Sequence, residues 1–100
     1  MKYNKLVRDK IPEFILGKGA NPKTHIADEK EYWNKLRDKL REEVEEFLEA
    51  ENIEELADIL EVLEAIYEFK GFPEKEILEI KQKKKEERGR FEERIILEEA

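Results

Sequence analysis

Between Trp33 and Phe69 the chain twice lays down apolar residues at helical spacing, with a short polar break between. Trp33, Leu36, Leu40, Val44 and Phe47 follow one another every three or four residues, which predicts one stripe of a helix over about 29–50. Ile53, Leu56, Leu60, Leu63 and Tyr67 form a second stripe, on a helix over about 53–70. Residues 49–52 join the two, and so short a connection favours antiparallel neighbours. The chain is thus committed to two long helices side by side. Val62, Ile66 and Phe69 widen the apolar surface of the second helix. They predict a helix–helix interface on that face, or another helix of the chain laid over it.

Each of these helices carries two carboxylates three residues apart: Glu43 and Glu46 on the first, Glu55 and Asp58 on the second. Residues three apart share one face of a helix. Glu43 and Glu46 run along the edge of the first stripe, while Glu42 and Glu45 point away. Glu54, Glu61, Glu64 and Glu68 gather on the solvent side of the second helix. Glu55 and Asp58 instead lie in line with Val62, Ile66 and Phe69. Antiparallel helices would bring both pairs to one place. Bare carboxylates repel there, and an oxygen-only ligand set suits Mg²⁺, with Mn²⁺ as the alternative.

The remaining segments are shorter. Pro12 opens a predicted helix over 12–16, ended by Gly17 and Gly19. Asp28 and Glu31 have the spacing of a capping box, and Asn52 is the expected cap of the next helix. Gly71 closes that helix, and Pro73 opens another over about 73–88. Segments 23–27 and 94–97 read as short strands that could form a two-stranded ribbon. The expected architecture is an all-α antiparallel bundle of about four helices with this minor β element, in a single domain of residues 1–100.

Charged residues make up 47% of the chain, and the net charge of −7 argues against a nucleic-acid surface. There is no cysteine, so no thiolate metal site. No 18-residue apolar run or apolar leader is present, which reads as a cytoplasmic chain with no membrane role. So short a chain buries a modest share of its surface, and a homodimer or homotetramer is expected. His25 reads as structural, and Trp33 and Tyr67 read as core residues. Lys5, Arg8, Lys84, Arg88 and Arg90 are candidate phosphate holders, Arg8 the foremost.

The Glu-Glu-x-x-Glu string at 42–46, followed by Glu-x-x-Asp at 55–58, resembles the signature of the all-α nucleoside triphosphate pyrophosphohydrolases. The opening Tyr3-Asn4-Lys5-Leu6-Val7-Arg8-Asp9-Lys10-Ile11-Pro12 is similar to that of a small MazG-like, phosphoribosyl-ATP-pyrophosphohydrolase-like group. So is the ending Lys84-Lys85-Glu86-Glu87-Arg88-Gly89-Arg90-Phe91 with Ile95-Ile96-Leu97. The resemblance implies Mg²⁺-dependent cleavage of a nucleoside triphosphate, or of a related phosphoribosyl nucleotide, to a monophosphate and pyrophosphate. By position it implies Glu43, Glu46, Glu55 and Asp58 as metal ligands. It further implies Glu42 as a helper; Glu42 and Glu43 are the candidate catalytic carboxylates, and Lys5, Arg8, Lys84 and Arg88 the candidate substrate-binding residues. The alternative is an acidic helical interaction module, or a relative that binds nucleotide without hydrolysing it.

Overall fold

A computed structural model describes residues 4–100; Tyr3, the first residue of the N-terminal string, lies outside them. Four helices follow in order: α1 (Ile11–Gly17), α2 (Glu29–Ala50), α3 (Ile53–Lys70) and α4 (Glu74–Arg88). Local chemistry sets their ends. The Asp28 carboxylate accepts from the Glu31 amide at 2.8 Å, and the Asn52 side-chain oxygen accepts from the Glu55 amide at 2.9 Å. Each cap satisfies one of the amides a helix start leaves without a partner. Gly71 ends α3 in the left-handed region at φ 72°, where a glycine has no Cβ to clash.

Only Glu51 and Asn52 separate α2 from α3, and these two helices form the one extensive helix–helix contact among the described residues. Aromatic rings mark the pairing as antiparallel. Phe69, late in α3, meets Tyr32 edge-on at 5.2 Å and stacks on Trp33 at 6.1 Å, both early in α2. Lys70 lies over the Trp33 ring at 3.8 Å and closes this end of the hairpin. At the centre, Leu36 is 1% exposed and Val62 is also buried.

The packed face of α3 runs through Glu55, Asp58, Ile59, Val62, Ile66 and Phe69. The stripe expected to be its main apolar face is the one left outside. Ile53, Leu56, Leu60 and Leu63 are 40–82% exposed. The expected interface surface of Val62, Ile66 and Phe69 is therefore already occupied, by α2 of the same chain. The reason is geometric: α3 is apolar on two sides, and α2 has room for one.

The expected β ribbon does not form among the described residues. Segments 23–27 and 94–97 have no ladder, and Ile26, Ile95, Ile96 and Leu97 all stand exposed. Two short strands with no sheet behind them bury too little to hold together. Helix α4 does not lie along α2 and α3, and Ile77 is its one half-buried residue. The expected four helices are present, and α2 and α3 are the pair that packs extensively among the described residues. The molecule extends 57 × 31 × 23 Å.

Candidate metal centre

The α2–α3 hairpin brings Glu43, Glu55 and Asp58 together, each offering an oxygen within 4.8 Å of the other two. Each residue is placed for a local reason. Glu43 stands on the packed face of α2, seven residues after Leu36, and is only 6% exposed. Glu55 sits at the third position of α3, its amide held by Asn52, where the positive end of the helix favours a carboxylate. Asp58 follows one turn later on the same face.

The electrostatics of this cluster are not closed. Two like charges 4.8 Å apart at an effective dielectric of 20 repel by about 3.5 kcal/mol before solvent screening. Repulsion of that size among three groups is a large fraction of the 5–15 kcal/mol that holds a typical domain together. Counter-charges offset part of it. Arg8 donates to Asp58 Oδ1 at 2.8 Å, and Lys39 Nζ lies 3.3 Å from Glu43 Oε1. Even so, Glu43 Oε2 and Glu55 Oε2 are buried with no hydrogen-bond partner. A buried charged oxygen left unpaired costs more than the ordinary ~1–3 kcal/mol of an orphaned polar group. Two such oxygens, from different helices, could be satisfied by a cation. Glu43, Glu55 and Asp58 are the residues that could hold it.

Glu46 lies beside this trio rather than within it. Burial and the neighbouring carboxylates of Glu43, Glu55 and Glu42 push its carboxyl up to about 7. Glu42 is on the rim. Lys5 Nζ donates to its Oε1 at 2.7 Å, and Lys39 is 3.9 Å from its other oxygen. The Lys5 hydrogen bond holds Glu42 below the usual carboxylate range, and the same contact raises Lys5.

The sequence-predicted residues therefore divide. Glu43, Glu55 and Asp58 converge, with Glu46 adjoining. Glu42 borders them, and Lys5 and Arg8 reach the site from the N-terminal segment. No hydrogen bond or ion pair joins Lys84, Arg88 or Arg90 to these carboxylates among the described residues; Arg90 pairs with Glu92 at 3.0 Å. His25 hydrogen-bonds Glu31 at 3.0 Å, away from the cluster. Lys39 was not singled out by sequence. Its signal was present in the spacing, three residues before Glu42 and four before Glu43, the separations at which helical side chains meet.

Comparison of the chain with family models, with curated proteins and with solved structures finds no match.

Proposed function

We propose that this chain is a Mg²⁺-dependent nucleoside triphosphate pyrophosphohydrolase of the MazG-like type. The observation that carries the reading is the carboxylate cluster with its two buried, unpartnered oxygens. Its donors are all oxygen, the set preferred by Mg²⁺ and Mn²⁺. Oxygens on one Mg²⁺ lie at most about 4.2 Å apart, so the 4.8 Å spread is within side-chain adjustment of closing on the ion.

Glu43, Glu55 and Asp58 would hold the ion, and Glu46 would complete or flank the set. Bound Mg²⁺ would supply neutralisation of triphosphate charge and orientation of a water. The residues of the chain divide the remaining work. Glu46, which adjoins the trio without belonging to it, is the carboxylate we assign to accept a proton from water. Glu42, locked by Lys5 and lowered, is the weaker base. Arg8, paired with Asp58, and Lys5, paired with Glu42, hold the rim, where their cationic heads would meet phosphate oxygens. Attack at the α-phosphorus is the part that rests on the family resemblance.

A second reading has its own observation. Lys5, Arg8 and Lys39 already pair with the acids, as in a self-neutralised structural network. One experiment separates the two. Incubation with a panel of nucleoside triphosphates and Mg²⁺ should release pyrophosphate and a monophosphate, and chelation should abolish it. Release of orthophosphate and diphosphate would overturn attack at the α-phosphorus, and no release across the panel would leave the structural network as the better account.

A further inference from the structure

We infer, on the metal reading of the cluster, that Lys39 is a positioning residue: it holds one oxygen of Glu43 so that the other is left to the cation. Lys39 stands one turn before Glu43 on α2, a separation at which helical side chains meet. Side chains of a helix lean toward its N-terminus, so the Glu43 carboxylate leans back onto the Lys39 ammonium. Nζ lies 3.3 Å from Glu43 Oε1.

Three cations touch the acids of this site, and they are not equivalent. The Lys39 side chain is 23% exposed, against 47% for Lys5 and 58% for Arg8, so water replaces it least well. Lys5 serves Glu42 and Arg8 serves Asp58. Lys39 approaches Glu42 as well, but at 3.9 Å, and Glu42 already has Lys5 at 2.7 Å. Among the described residues Lys39 is the one cation paired with Glu43, the most buried acid of the three that converge.

A cation beside a ligand carboxylate acts in one of two ways. It competes with the metal for the same oxygen, or it secures the other oxygen and leaves the first free. Here the ammonium is on Oε1, while Oε2 is buried without a hydrogen-bond partner. A carboxylate can accept on both oxygens at once, so Lys39 and a metal ion can share Glu43. A glutamate reaches its carboxylate through several rotatable bonds, and a partner that removes this freedom beforehand leaves less to be ordered when the ion arrives. Partners that fix a ligand in this way typically cost 10–100-fold in metal affinity when they are removed. Charge alone has the opposite sign, because an ammonium repels Mg²⁺ and its loss would tighten binding. The direction of the change therefore reports which role Lys39 plays.

Calorimetric titration of Mg²⁺ into the full chain reads that direction. Lys39→Met keeps an unbranched apolar stem without the charge, and should weaken Mg²⁺ binding about tenfold or more. Lys39→Arg keeps a cationic donor beside Glu43 and should recover most of that loss. Arg41→Met removes the same charge from an exposed pair with Asp38, and should bind within about twofold of wild type. Where Lys39→Met does not fold, Lys39→Gln, which keeps a neutral donor, carries the same test with a smaller loss. Unchanged or tighter binding by the neutral variants, beside a wild type that binds, would overturn the role of Lys39 and leave the metal centre standing. So would an equal loss in Arg41→Met, which would make the effect one of general charge. No Mg²⁺ binding by the wild type would overturn the metal reading itself, and the role of Lys39 with it.

Discussion

Glu46 shows how far a carboxylate's behaviour is set by its neighbours. Its carboxyl is pushed from the ordinary 4.5 to about 7 by burial and by Glu43. A raised acid favours the folded state while protonated. Its contribution is complete below pH 4.5 and is lost as pH rises through about 7, because the folded chain binds a proton there that the unfolded chain does not. Thermal melting of the metal-free protein should therefore fall more steeply between pH 4.5 and 7 than that of Glu46→Gln, which mimics the neutral form at every pH. Above pH 7 the variant should be the more stable. Parallel melting curves would remove Glu46 from the cluster. The proximity of the two acid pairs was legible in the sequence, because i, i+3 spacing on two antiparallel helices leaves few arrangements. Which oxygens lack partners was not, since Arg8 reaches Asp58 across 50 positions of chain. Nothing in the local pattern announces a contact of that range.

At the scale of elements, caps and periodicity located all four helices to within about a residue, as expected where Asp28, Asn52, Gly71 and Pro73 each have one strong local preference. The face of α3 that packs was not legible. Its apolar residues cover two sides, and the choice between them is made by α2. The turn between α2 and α3 holds a local conflict. Glu51 sits at φ 50°, ψ 39°, a left-handed conformation that costs a residue with a Cβ about 1 kcal/mol or more. Glu51→Gly should relieve it. The gain is reduced by the freedom glycine adds to the unfolded chain, so a net stabilisation of up to about 1 kcal/mol is expected by urea denaturation. Destabilisation would mean that the Glu51 side chain contributes more than its backbone costs. By contrast, Leu36→Ala removes the most buried side chain of the hairpin and should cost about 2–5 kcal/mol in the same assay.

At the scale of the whole molecule, the chain is built on a two-helix hairpin; the N-terminal segment reaches its carboxylate cluster through Lys5 and Arg8, and α4 makes no extensive contact with the hairpin. No helix among the described residues is long and apolar enough to cross a membrane. The cluster is built from α2 and α3 of one hairpin. The claim on which the functional account turns is that this cluster binds a divalent cation. Calorimetric titration of Mg²⁺ into the wild-type chain, Asp58→Asn and Glu61→Gln tests it most directly. Asp58→Asn keeps the side-chain shape but removes one negative charge from the site, and should weaken Mg²⁺ binding by more than about tenfold, with nucleotide turnover falling alongside. Glu61 lies on the solvent stripe of the same helix, and Glu61→Gln should bind as the wild type does. Equal binding by all three proteins, or no binding by any, would contradict the account.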